Sequence, residues 1–256
     1  MAENKKISNA SATTVSDIKN AKPVGNATGL RVGAVILWVC AIVFEVLAVL
    51  IIAGKLNITF MSTLACLIVC IVLDLICVII GSQLWKKANH IDPASKKNPT
   101  KFWLWNNMGL IVAIFAFVPL IVLLLTNKNL DKKTKTIAVV AAAVALIIGG
   151  AASIDYNPIS SEEKAAAEAA ITGGVYFTNF GKVYHTHVND DGSVTQHEHT
   201  TDDGKDCPYL NRSDSLTYGT VEEAIAAGKT RLCSYCARHD GINTEGILTD
   251  GNEAED

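Results

Sequence analysis

A membrane α-helical bundle of four transmembrane helices, followed by a small α+β C-terminal domain, is the fold class this 256-residue chain predicts. Three observations predict it. Four long apolar runs fill residues 32–154. Charge divides where they end: residues 1–153 carry 15 Lys/Arg against 6 Asp/Glu, and residues 154–256 carry 7 against 19. Three cysteines, Cys207, Cys233 and Cys236, then fall close together in a frame suited to one metal ion. A split this sharp marks two regions held in different surroundings.

The chain opens with residues 1–31, rich in Ser, Thr, Asn, Ala and Lys and without apolar periodicity. They read as a disordered segment, since such a sequence has little apolar surface to bury. The apolar runs follow at 32–53, 58–80, 102–125 and 137–154. A bilayer core of about 30 Å needs roughly 20 helical residues. The first three runs meet that length, and the alanine-rich fourth is the shortest. The first run is too long, and starts too late, for the apolar part of a cleaved signal peptide. Pro119 predicts a kink in the third helix.

Basic residues set the expected orientation. With the N-terminus inside, cytoplasmic flanks hold 11 Lys/Arg and outer flanks 5. The excess of Lys and Arg on one side favours a multi-pass cell-membrane protein with the N-terminus and the C-terminal domain cytoplasmic. Lys128, Lys132, Lys133 and Lys135 oppose this. If the fourth run does not span, the C-terminal domain lies outside the cell. Trp85, Trp103 and Trp105 fall at the expected inner boundary, where amphipathic rings settle.

Two acids lie inside spans, Glu45 and Asp74. A carboxylate is costly to solvate in lipid, so such residues are functional candidates. Glu45 shares a helical face with Ala34, Ala41 and Ala48. Asp74 lies on a stripe with Cys66, Cys70 and Cys77. That stripe reads either as a small-residue packing face or as a route for a soft metal or a proton. Ala141, Ala145, Gly149 and Ser153 are four apart, a spacing that lets helix backbones approach closely.

Residues 155–174 read as a helical linker, with Ser160 and Glu163 as a capping box. Val175 to Phe177 and Lys182 to His187 read as strands, and Asp190, Asp191 and Gly192 as a turn leading to a returning strand over 193–199. Thr220 and Glu223 form a second capping box, and Gly228 ends that helix. Residues 239–256 read as an acidic disordered tail. Three cysteines cannot all pair within one chain, and zinc favours four Cys or His ligands, two of them readily supplied by Cys-x2-Cys. His185 is the preferred fourth ligand, with His187, His197 and His199 as alternatives.

The text Val175-Tyr176, Gly181-Lys182-Val183-Tyr184-His185, Cys207-Pro208-Tyr209-Leu210, Glu223-Ala224, Gly228 and Cys233-Ser234-Tyr235-Cys236 resembles the Ada-type zinc-binding domain, in the form where Tyr-His replaces the first cysteine. The resemblance covers residues 175–236, about a quarter of the chain, and none is seen for the spans. It implies that His185, Cys207, Cys233 and Cys236 hold one Zn2+. Here 21 residues separate His185 from Cys207, where the family has only a few. This hairpin insertion adds His187, His197, His199 and several Asp residues.

A region at net −12 repels nucleic acid, whose binding rests on neutralised phosphates. No Ser/His/Asp set, phosphate-binding Gly loop or nucleotide fingerprint is present, so a non-enzymatic reading leads and an enzymatic one stays open. The expected function is a structural zinc module displayed on the membrane for a protein partner. The first alternative is metal-ion handling through the His/Asp-rich insertion. The second is a zinc hydrolase with Glu198 as general base.

Overall fold

The computed structural model describes residues 25–56, 59–171, 173–186 and 216–251. They form two compact units, residues 26–158 and residues 159–251.

The first unit is four long helices: α1 (Ala27–Ile52), α2 (Thr63–Ile91), α3 (Pro99–Thr126) and α4 (Lys132–Ser153). All four are long and apolar enough to cross a membrane. Each starts on a side-chain cap that satisfies a backbone N–H left over at a helix start. Asn26 accepts from Gly29, Ser62 from Ala65, Asn98 from Lys101 and Asp131 from Thr134. These caps, rather than the edges of the apolar runs, set where the helices begin. α3 continues through Pro119, whose missing N–H leaves one intrahelical bond unmade.

The inner faces combine small residues with a few large ones, Leu67, Ile71, Val78, Phe117, Leu120 and Leu124. Ala34, Ala41 and Ala48 of α1, Ala113 and Ala116 of α3, and Ala138, Ala142 and Ala145 of α4 are all buried. Many other large apolar side chains point outward, among them Ile36, Val39, Phe115 and Ile147. A Cβ on Gly81 would lie 2.6 Å from the Trp38 ring, so only glycine lets α1 and α2 meet there.

α2 runs eleven residues past the expected end of its apolar run because polar side chains there have partners across the bundle. Trp85 Nε1 and Asn89 Nδ2 both donate to Trp105 O, at 2.8 and 2.9 Å. Gln83 Nε2 and Lys86 Nζ donate to Ala152 O near the end of α4, at 2.9 and 2.8 Å. His90 meets Asp155 at 3.0 Å. Burial pushes the Asp155 carboxyl up, but the hydrogen bond and charge of His90, with Lys86, hold it below its ordinary range overall. Trp85 is buried between Trp38 and Trp105 rather than placed in an outward belt, whereas Trp103 is exposed.

The second unit is a four-stranded sheet with short helices. Its elements are α5 (Ser161–Ala170), β1 (Val175–Thr178), β2 (Val183–Thr186), β3 (Leu216–Gly219), α6 (Val221–Ala226), β4 (Arg231–Leu232) and α7 (Ser234–His239). The strand order is β3-β1-β2-β4. β1 is antiparallel to both β2 and β3, and β4 runs parallel to β2. Gly181, at φ +83°, supplies the left-handed turn between β1 and β2. The buried Lys229 fastens that turn, its Nζ donating to Asn179 O at 3.2 Å and Gly181 O at 2.9 Å. Burial pushes the Lys229 ammonium below its ordinary value. Both expected capping boxes, Ser160 with Glu163 and Thr220 with Glu223, are formed.

Two segments differ from expectation. The stretch read as a linker is part of this unit's core: Ile159, Ala167 and Ile171 pack with Val175, Phe177, Tyr184, Ile225 and Leu232. Lys164 reaches both Glu168 and Glu222, each at 3.7 Å, tying α5 to α6. The stretch read as a disordered acidic tail is ordered through Gly251. Thr249 bridges Leu232 in parallel, and Ile247 is buried. Ile242, Ile247 and Leu248 give this stretch an apolar side that outweighs its charge.

Candidate metal centre

β2 alternates its side chains across the sheet. Tyr184 joins the main core, and its neighbour His185 faces the other way. The register pairs Tyr176 with both His185 and Tyr218, so Tyr218, Tyr176 and His185 form a row across three strands. The Tyr176 and Tyr218 rings meet at a tilt of 51°, with centroids 5.0 Å apart. Burial, then the neighbouring Tyr218, push the Tyr176 hydroxyl up to about 12, and burial also raises Tyr218 and Tyr184.

The end of this row meets the turn into α7. The β2–β4 pairing brings Cys233 beside His185, and Cys233 N donates to Tyr184 O at 2.9 Å. Cys233 is the N-cap of α7, and Cys236 lies three residues on, on the same side of the first turn. The Cys233 side chain makes no capping hydrogen bond. Asp250 takes that role instead, accepting from Ser234 N at 2.7 Å. The helix start is thereby capped without using the thiol.

His185, Cys233 and Cys236 are all buried, and their donor atoms lie within 4.8 Å of one another. Cys236 Sγ is 3.7 Å from His185 Nδ1. A tetrahedral zinc with Zn–S of about 2.3 Å and Zn–N of about 2.0–2.1 Å separates its sulfur and nitrogen ligands by about 3.6 Å. The donor set and its spacing therefore suit such an ion, and this group can hold a metal. Tyr176 and the partly buried Val183, Tyr218 and Tyr235 pack around the two cysteines. Beside them, Thr186 Oγ1 donates to Asp240 Oδ2 at 2.6 Å, and His239 Nδ1 lies 2.8 Å from Asp240 Oδ1.

The site thus brings together three of the four preferred ligands. Cys207, His187, His197 and His199 lie outside the described residues, as does the expected strand at 193–199. The tyrosine row escaped the sequence reading. Its signal was present in the period-two placement of Tyr176, but it needed the pairing register to be read. The span residues behave differently. Among the described residues, His185, Cys233 and Cys236 are the one group of three His, Cys, Asp or Glu that converges within metal-binding distance, and the Cys66, Cys70, Asp74 and Cys77 stripe does not. Asp74 is buried, and neither of its carboxylate oxygens has a hydrogen-bond partner among the described residues. Glu45 is half-buried beside its buried alanines. Comparison with protein-family models, curated proteins and solved structures finds no match to this chain.

Proposed function

We propose that the chain is an integral membrane protein displaying a small structural zinc module for binding a protein partner. One zinc ion is held by His185, Cys207, Cys233 and Cys236, and the N-terminus and the module face the cytoplasm. The observation that carries this reading is the buried convergence of His185, Cys233 and Cys236 at the meeting of β2 and α7. The resemblance to the Ada-type domain supports Cys207 as fourth ligand. Four protein ligands leave no open position for a water nucleophile, which favours a structural ion over a hydrolytic one. The acidic charge of residues 154–256 favours a protein partner over nucleic acid.

The test is elemental analysis of the purified full chain beside Cys207→Ser, His185→Ala and Cys236→Ser. The expected result is one tightly held zinc, lost in all three variants. One zinc indifferent to His185→Ala would move that ligand to His187, His197 or His199. Two metal ions would favour metal handling by the insertion. No metal in the unmodified chain would sink the proposal.

A further inference from the structure

At one end of the bundle, away from the tryptophan cluster, a cavity of about 260 Å3 opens between the end of α1, the start of α2 and the α3–α4 loop. Ile51, Leu56, Met61 and Leu130 give it one apolar wall, and polar groups, Thr63 and Asn129 among them, make up the larger share of its exposed lining. The loop beside it is firmly built. Asn127 Oδ1 accepts from Asn129 N at 2.8 Å and Leu130 N at 2.9 Å, and Asn127 Nδ2 donates to Ile52 O at 3.1 Å.

Four exposed lysines flank these lining residues in the chain. Lys55 stands between Gly54 and Leu56, Lys128 precedes Asn129, and Lys132 and Lys133 follow Leu130 closely. Among the described residues, none of the four has an ion pair. The nearby acid, Asp131, caps α4. At the opposite end several cations are engaged: Arg31 on Asp92, Lys86 on Ala152 O, and Lys101 over the Trp105 ring.

A slot with an apolar wall, flanked in the chain by four exposed lysines and one acid at a bundle mouth, is complementary to an anionic amphiphile, with phosphate on the lysines and hydrocarbon against that wall. The slot is smaller than the roughly 300–1,000 Å3 of a pocket for a whole drug-sized ligand, so it suits one segment of a lipid. We propose that this cavity is a binding site for an anionic phospholipid, drawn from the leaflet that the α1–α2 and α3–α4 loops face.

The test is native mass spectrometry of the full chain in detergent, incubated with equal amounts of phosphatidylglycerol and phosphatidylcholine of matched acyl chains. Phosphatidylglycerol is expected to be retained at least about threefold over phosphatidylcholine, an effect of the size that a few interfacial lysines supply. The combined change Lys55→Gln, Lys128→Gln and Lys132→Gln is expected to bring the ratio near one. Leu130→Trp, which fills the slot and keeps the charges, is expected to lower phosphatidylglycerol retention by a similar factor, and Met61→Trp is a second filling variant should the first not fold. Excess inorganic phosphate is expected to leave retention unchanged. Equal retention of the two lipids, a preference that survives the lysine changes or the folded filling variants, or displacement by inorganic phosphate would overturn the proposal.

Discussion

The bundle and the module differ in what they leave facing outward. In the bundle, alanines such as Ala34 and Ala41 share the interior with Leu67, Phe117, Leu120 and Leu124, and many other large apolar side chains face out, Ile36 at 58% exposure among them. In the module most large apolar groups are inside, with Tyr184, Ile225 and Leu232 almost wholly buried, and Phe180 stays exposed. One chain thus carries two answers to the question of what drives burial. In water, removing a large apolar side chain from solvent is itself favourable. In lipid, a leucine gains nothing by leaving hydrocarbon, and helices associate through close backbone approach and van der Waals packing.

The sharpest way to separate the regions is to withdraw the proposed metal. All four tryptophans lie within residues 26–158, whereas five of the six tyrosines lie beyond them. A strong chelator is expected to abolish the tyrosine near-ultraviolet dichroism and expose residues 159–251 to protease, while tryptophan emission holds. Structural zinc binding worth about 10–16 kcal/mol rivals the whole stability of a small domain. An unchanged tyrosine signal after complete metal removal would break this expectation.

A pair of substitutions then tests the packing rules. Tyr184→Ala empties the module's core and is expected to cost about 3–5 kcal/mol, as for other buried aromatics. Ala41→Leu overfills the α1 face and is expected to cost the bundle about 1–3 kcal/mol. Each is read by denaturant unfolding on its own chromophore. An Ala41→Leu bundle that gains stability would mean its interior is not closely packed. The smallest effect belongs to Ser160→Ala, which removes the cap of α5 at about 1 kcal/mol. It should move the tyrosine transition and leave the tryptophan one in place, since α5 packs with the module's core.

The four long helices were legible because an apolar run is a signal of composition, spread over twenty residues. Their ends were not, because each start rests on one polar residue, Asn26, Ser62, Asn98 or Asp131. The extension of α2 rests on Trp85, Lys86, Asn89 and His90, whose partners are distant in sequence. At the candidate site, the Cys-x2-Cys spacing and His185 were readable locally. The tyrosine row was not, since it exists only in the register of three strands. Residues 242–251 misled through their charge. Their apolar members, Ile242, Ile247 and Leu248, become informative only once β4 gives Leu232 as an edge to pair with.

The parallel pairing of β2 with β4 has a consequence for how the protein is made. His185 and Cys236 stand 51 residues apart in sequence, yet share one cluster. At a synthesis rate of about 5–20 residues per second, the histidine leads that cysteine by roughly 3–10 s. Over that interval the nascent module carries His185 without its Cys-x2-Cys partners, and the hairpin of β1 and β2 has no β4 to close against. Capture of a metal by all three side chains could therefore follow only once α7 has been made, so a filled site would report that the module has been made through α7.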